Sequence, residues 1–342
     1  MKKLSLSWTM IVFLVFLSAC KEEVDFFASP CDVPIVYAML DADADTNFVK
    51  ITRAFFSEDL ATQTAQNPDS SNYPGRLDAR LIEFDNGKQV REIILDTITI
   101  RDKEEGLFYA PAQKLYYTSE RLRKNSAEHD IKYKLTVELP DQVLTAQAYI
   151  VGSTKFGVWN LAANFSQDYF GTKRELKFYP ATHAEIYEIG MTFTYWEQKV
   201  TPWSVSDSVP VTMDWFLGTY YLKDFDIDEE GKYVVYYRPE AFYNKLRLFL
   251  GADTANVNVR RLIKDYPIEF YISAAGSELR EYYTFSGSPD LGAQSNSDFS
   301  LINGGYGLFS SRCSTRRKAR LAGTTVPDLV AHNWGFVFIG GE

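Results

Sequence analysis

The sequence predicts a mainly β chain. A β-sandwich over residues 35–152 is followed, over 155–342, by a mostly antiparallel sheet or open barrel carrying two or three helices. Three observations lead there. Aromatic residues make up 15% of the chain and tend to alternate with polar or charged ones, the period of strands with one buried face. Turn signals such as Asn86-Gly87 separate the alternating runs. Helical spacing is confined to two longer stretches and one short one.

The first half shows the alternation most clearly in "KYKLTVELPDQVLTAQAYIVG" (132–152). Tyr133, Leu135 and Val137 point one way and Lys132, Lys134 and Thr136 the other, Pro140-Asp141 turns, and Val143–Ile150 returns. "FVKITRAFF" (48–56) and "ARLIEFDNGKQVREIIL" (79–95) repeat the pattern, so about seven short strands are expected. "GSTKFG" (152–157) reads as a boundary. Beyond it, "EIYEIGMTFTYWEQ", "SVPVTMDWFLG", "KYVVYY" and "YPIEFYISA" read as strands. "PEAFYNKLRLFLG" (239–251) reads as a helix with Phe242, Leu246, Phe249 and Leu250 on one stripe, Pro239 at its start and Gly251 at its end. "GSELREYYTFSG" (276–287) reads as a second, with Ser277 as N-cap, so the helices lie near 239–250 and 276–285. "TVPDLVAHN" is a short third.

The N-terminus carries an address. Lys2 and Lys3 precede an apolar run, Trp8–Leu17, that is shorter than the roughly 20 residues a bilayer span needs. Ser18 and Ala19 are small residues suited to signal-peptidase cleavage. Leu17-Ser18-Ala19-Cys20 resembles the bacterial lipobox, which implies a signal peptide over 1–19, lipidation of Cys20 and a tether over 20–34. Two or three acyl chains, at ~0.8 kcal/mol per buried methylene, hold a protein on a membrane where one barely would. Lys21-Glu22-Glu23 is similar to the export signal that follows the lipidated cysteine in surface lipoproteins of Bacteroidota. It implies a chain in the outer membrane, facing the exterior.

Charge excludes one class of partner. Loss of residues 1–19 removes two lysines and no acid, leaving 45 acids against 34 bases, a net −11. Nucleic-acid binding requires a basic footprint and is not expected. The one dense basic run, "SRCSTRRKAR", reads as a solvated strand face, with docking onto an acidic partner or lipid head groups as its functional alternative. With Cys20 lipidated, Cys31 and Cys313 remain as candidates for a disulfide closing a 282-residue loop, for which chain entropy allows up to roughly 5 kcal/mol. Two unpaired thiols are the alternative.

No motif commits the chain to catalysis. Three histidines (His129, His183, His332) show no metal spacing, and no nucleophile elbow or phosphate loop is present. Asp41, Asp43 and Asp45 in "LDADADTN" resemble the start of a calcium loop, but no bending glycine follows and Thr52 stands where a bidentate acid belongs. "DFDIDEEGK" (224–232) reads as a solvated acidic turn. No metal, cofactor or enzyme activity is expected, with a hydrolase built on two facing carboxylates as a remote alternative. Among the aromatics, Trp196, Trp215, Tyr220 and Tyr221 fit core positions better than a stacking platform. Trp203, after a proline in "VTPWSVSD", falls outside any alternation and is the candidate ligand-binding aromatic.

"ELREYYTF", "SPDLGAQSNSDFS" and the near-C-terminal "NGGYGLF" (303–309), with "PIVYAMLDADADTNFVKITRAFF" at the start, resemble a family of Bacteroidota outer-membrane lipoproteins of unknown function. The resemblance implies an immunoglobulin-like N-terminal half and a place beside outer-membrane transport systems. It brings no catalytic residues. The expected function is non-enzymatic binding of a ligand or protein partner, as an accessory to a TonB-dependent transporter. A structural or adhesion component of the cell surface is the alternative.

Overall fold

Alternating burial runs through the first half strand by strand. The computed structural model describes residues 33–54, 66–67, 71–101, 104, 106, 109–110, 112–157, 161–251, 258–286 and 301–339. Among the described residues eight strands form the first half: β1 (Val33–Asp41), β2 (Asn47–Ala54), β3 (Asp78–Asp85), β4 (Lys88–Ile94), β5 (Asp96–Ile100), β6 (Gln113–Thr118), β7 (Ile131–Glu138) and β8 (Val143–Tyr149). They pair as β1-β2-β6-β5 and β4-β3-β7-β8, the two layers of a sandwich. Val36, Leu40, Val49 and Ile51 of one layer share a core with Leu81, Tyr133, Leu135 and Leu144 of the other. Along β7, Ile131, Tyr133, Leu135 and Val137 are buried while the residues between them are not. Asn86 (φ 48°) and Gly87 (φ 79°) turn β3 into β4 with both residues left-handed, as a type I′ turn requires.

One inward position is a charge. Glu83 of β3 is 1% exposed and accepts hydrogen bonds from Arg91 (2.6 Å), Arg123 (3.2 Å) and the Tyr133 hydroxyl (2.6 Å). A buried carboxylate stripped of such partners is strongly destabilising, so these three groups make the acid tolerable at a core position.

The second half adds β9 (Lys155–Phe156), β10 (Ala162–Ala163), β11 (Arg174–Tyr179), β12 (Ile186–Thr201), β13 (Ser204–Val205), β14 (Val209–Tyr221), β15 (Asp226–Ile227), β16 (Tyr233–Tyr237), α1 (Pro239–Leu250), β17 (Val259–Ile263), β18 (Ile268–Ala275), α2 (Ser277–Ser286), β19 (Tyr306–Leu321), α3 (Thr325–Ala331) and β20 (Phe336–Phe338). The 16-residue β12 organises it, pairing with β14 along one edge and with β18 and then β17 along the other. Its inward residues Ile189, Met191, Phe193 and Tyr195 share a core with Phe178 and Val235 of the sheet β15-β16-β11-β9 and with Phe242 and Leu246 of α1. Phe165 stacks on Phe242 with centroids 4.0 Å apart. On α1, Phe242, Tyr243, Leu246 and Leu250 are buried, whereas Phe249, expected on the stripe, is exposed. At 100° per residue Phe249 sits at the edge of the arc the other four define, and Tyr243 takes its place.

Among the described residues the two halves are joined by the pairing of β1 with β19 and by an isolated bridge between Thr145 and Asn303. The long sheet runs β20-β17-β12-β18-β19-β1-β2-β6-β5 and stays open, so the first strand of the chain lies parallel to β19. Parallel pairs also occur at β10–β19 and β17–β20, in a sheet that is otherwise antiparallel as expected. Ile302 and Phe309 return to the sandwich core, although the two cores otherwise divide between Ile150 and Val151. Buried Ser311 of β19 donates to the Tyr149 carbonyl (2.6 Å) and accepts from the Val151 amide (2.8 Å). Gly307 permits this approach: its φ is +119°, and a Cβ there would stand 1.9 Å from the Val36 carbonyl oxygen. The "NGGYG" stretch is thus a structural joint.

Of the two cysteines expected as candidates for a disulfide, Cys31 lies outside the described residues. Ile35 pairs with Tyr306, and Cys313 lies seven residues further along β19, about 30 Å from the level of Val33 by strand rise. Cys313 is a free, buried thiol whose pKa burial pushes up to about 11.

Two predictions follow from the joint. Gly307→Ala places a side chain in the left-handed region and against a carbonyl, and should cost at least about 2–3 kcal/mol in a denaturant titration. Cys313 should resist iodoacetamide at neutral pH in the native state and react fully in guanidinium without reductant; a peptide cross-linked between Cys31 and Cys313 would contradict this.

Candidate functional site

The long sheet has one face turned from both cores, and α2 lies across it. Alternation on β19 puts Arg312, Ser314, Arg316, Lys318 and Arg320 on that open face, each exposed, while Cys313 and Ala319 face inward. The basic run is therefore a solvated strand face in four of its five cations, with Arg317 turned the other way. Its charges have local partners: Arg316 pairs with Glu269 at 3.1 Å, Arg312 approaches Asp41 at 3.6 Å, and the Arg320 guanidinium lies 4.8 Å from the Tyr266 ring centroid. Cross-strand hydroxyl pairs, Ser273–Ser314 (2.7 Å) and Thr194–Thr212 (2.9 Å), complete the polar surface.

Tyr271 lies flat on this face over Gly190, where a Cβ would come within 2.3 Å of the tyrosine hydroxyl. Burial pushes the Tyr271 pKa up to about 12, with Asp214 adding to the effect. Inside the cores, burial does the same to Tyr133 and Tyr195, each at about 12.

Helix α2 is held down at several points. Glu278 accepts from the Ser310 hydroxyl (3.0 Å), and burial raises its carboxyl above the usual range. Tyr282 meets Tyr37 edge-on at 6.5 Å, and Arg280 pairs with Glu185 at 3.0 Å. Hollows flank the helix. One of 340 Å³ lies over β1, β2, β6 and β19, walled by Tyr37, Met39, Phe48, Leu115 and Leu308, with Asp41, Lys50 and Arg312 as its charged groups. A second, of 190 Å³, shares Met39 and Arg312 with the first and runs toward Leu279 and Tyr283 of α2. A third, of 890 Å³, contains the charged groups Glu185, Lys223, Arg280 and Glu281 beside Tyr221 and Leu222. Arg280 contacts both acids there, Glu281 at 3.8 Å. That is an ion-pair arrangement.

The sequence-level candidates fall in different places. Cys20, Lys21, Glu22 and Glu23 lie outside the described residues. Trp203 is 94% exposed, in the two-residue turn between Thr201 and Ser204 that joins β12 to β13. Ile186 is level with Arg312 across β18, and the hairpin tip lies fifteen residues further along β12, about 50 Å by strand rise. Trp203 and the α2 hollows are therefore separate. The other aromatics form no platform: Trp215 and Tyr220 pack against the core, and Lys264 sits 4.1 Å over the Trp196 ring.

The acidic turns close on themselves. Asp41 accepts from the Asp43 amide (2.9 Å) and Asn47 from the Asp41 amide (2.7 Å), while Lys124 pairs with Asp43. Asp228 accepts from the amides of Lys232 and Glu230, contacts that hold its carboxyl below the usual range. Among the described residues no group of three or more His, Cys, Asp or Glu could hold a metal ion. The hollows beside β1 were not legible in the sequence because their residues come from β1, β2, β6, β12, β18, β19 and α2; the outward register of Tyr37 and Phe48 on recognisable strands is the one local signal that bears on them.

Geometry therefore defines a mainly β protein, a sandwich continuous with an open sheet, with concave sites where α2 crosses the joint between them. No family model matches the chain, and no curated protein matches its sequence.

Stability should fall as pH rises from about 10 to 12. Tyrosines ionise near 10 in the unfolded chain; with folded values raised to about 12 for Tyr133, Tyr195 and Tyr271, the neutral native forms stabilise fully below pH 10, and that contribution is lost as pH climbs through the folded values. Denaturant midpoints at pH 8, 10 and 12, read with tyrosinate absorbance, check this; an unchanged midpoint at pH 12 contradicts it.

Proposed function

We propose that the chain is an outer-membrane lipoprotein, anchored through Cys20 and displayed outward by Lys21-Glu22-Glu23, that binds a ligand or protein partner without catalysing a reaction. The observation that carries the binding half of this reading is the apolar hollow beside α2, walled by aromatic and aliphatic side chains with a few charged groups, the usual make-up of a ligand site. A purely structural or adhesive role would need no such concavity. The address rests on the "LSACKEE" stretch alone. Val33 lies thirteen residues beyond Cys20, so the body can stand at most about 45 Å from its anchor. The resemblance to lipoproteins that accompany outer-membrane transport systems supports a TonB-dependent transporter as partner, and Trp203 at the hairpin tip is the aromatic best exposed for contact with one.

Protease shaving of intact cells, followed by pull-down from detergent-solubilised outer membranes, tests the reading. The chain should be cleaved on whole cells and should bring down a TonB-dependent transporter in stoichiometric amount, with Trp203→Ala reducing recovery severalfold. A chain protected from protease that captures nothing would overturn surface display and the transporter partnership together.

A further inference from the structure

We propose that the 340 Å³ hollow over β1, β2, β6 and β19 binds a small apolar carboxylate, with Arg312 as its anion contact and Tyr37 and Phe48 as the walls against its flat body. The inference rests on the ligand-binding half of the reading above and gives it a chemical class. Tyr37 and Phe48 are 44% and 43% exposed, so two aromatic side chains, diagonal neighbours on adjacent strands, stand open to solvent in the lining of one depression. Met39, Leu115 and Leu308 complete the apolar lining.

Charge selects the other end of the ligand. Lys50, Arg312 and Asp41 leave the hollow with a local excess of one positive charge. Lys50 already donates to Gln113 at 3.3 Å. The Asp41 carboxylate is engaged by its own turn, where it accepts the Asp43 amide, and Arg312 Nε stands 3.6 Å from it, too far for a hydrogen bond. Among the described residues the terminal guanidinium nitrogens of Arg312 donate to nothing. A guanidinium fork matches a carboxylate bidentately, and one net positive charge suits a monoanion better than a dianionic phosphate, which would stand against Asp41. The volume lies near the lower end for ligand sites, enough for a body of one or two fused rings. The adjoining 190 Å³ hollow, which shares Met39 and Arg312, leaves room for a longer apolar body under α2.

Calorimetry on the full chain in lipid nanodiscs, with empty discs as the blank, tests this with 2-naphthoate as the probe and 2-naphthol as its uncharged counterpart. The wild type should bind one 2-naphthoate with a dissociation constant between roughly 10 µM and 1 mM and 2-naphthol at least tenfold more weakly. Arg312→Ala should weaken 2-naphthoate roughly ten- to hundredfold, the effect of losing one charge-assisted contact, and leave 2-naphthol unchanged. Phe48→Ala should weaken both probes. Lys318→Ala, which removes a cation from the same strand outside the hollow, should change neither. Absence of saturable 2-naphthoate binding, or equal binding of the two probes with no dependence on Arg312, would overturn the proposal. Because the titration does not depend on which way the lipoprotein faces, it can fail while surface display holds, or succeed while display fails.

Discussion

Gly307 lets the backbone of β19 come against Val36, and through that contact the first strand of the chain enters a sheet that β12, β18 and β19 build from the second half. Almost every long-range feature follows from this parallel pairing. It sends Phe309 and Ile302 into the sandwich core, sets Ser311 between Tyr149 and Val151, and brings Asp41 level with Arg312. A Cβ at position 307 would force the two strands apart, and no side-chain rearrangement relieves a clash with a backbone carbonyl. The sandwich and the larger sheet are therefore two cores under one continuous hydrogen-bonded surface, with the site on the seam.

Each half also fixes its register with a buried ion. In the sandwich, Glu83 occupies an inward position and is held by Arg91, Arg123 and Tyr133. In the second half, Arg261 is 1% exposed, donates to Glu197 (3.0 Å) and to the Trp334 carbonyl (2.6 Å), and so ties the C-terminal turn to β12. Such pairs add little net stability against an apolar replacement, but a misregistered strand would leave the charge buried and alone. Their effect is to penalise slippage, which matters in a sheet whose long strands carry similar aromatic-polar repeats.

The hollows beside α2 exist because the helix covers only part of the open face. Glu278, Arg280 and Tyr282 pin it over β12, β19 and β1. The sheet beyond it stays solvated, as antiparallel sheets with one covered face do. Where cover ends, aromatic side chains of β1 and β2 stand beside the first cation of the β19 stripe. An amphipathic site forms at that margin without any residue being out of place for its strand.

Period-two alternation determined the strands, the Asn86-Gly87 turn and the mainly β class, because burial of one face is a local property of a strand and shows in the sequence that forms it. The helices at 239–250 and 277–286 were legible for the same reason, down to Pro239 and Gly251. Trp203 stood out because it broke the alternation, and it is the most exposed of the large apolar side chains described. Which strands are neighbours was decided only by the tertiary structure. The pairing of β1 with β19, the parallel entry of β20 beside β17 and the meeting of Tyr37, Phe48 and Arg312 depend on backbone contacts between segments as much as some 270 residues apart, for which no local pattern exists.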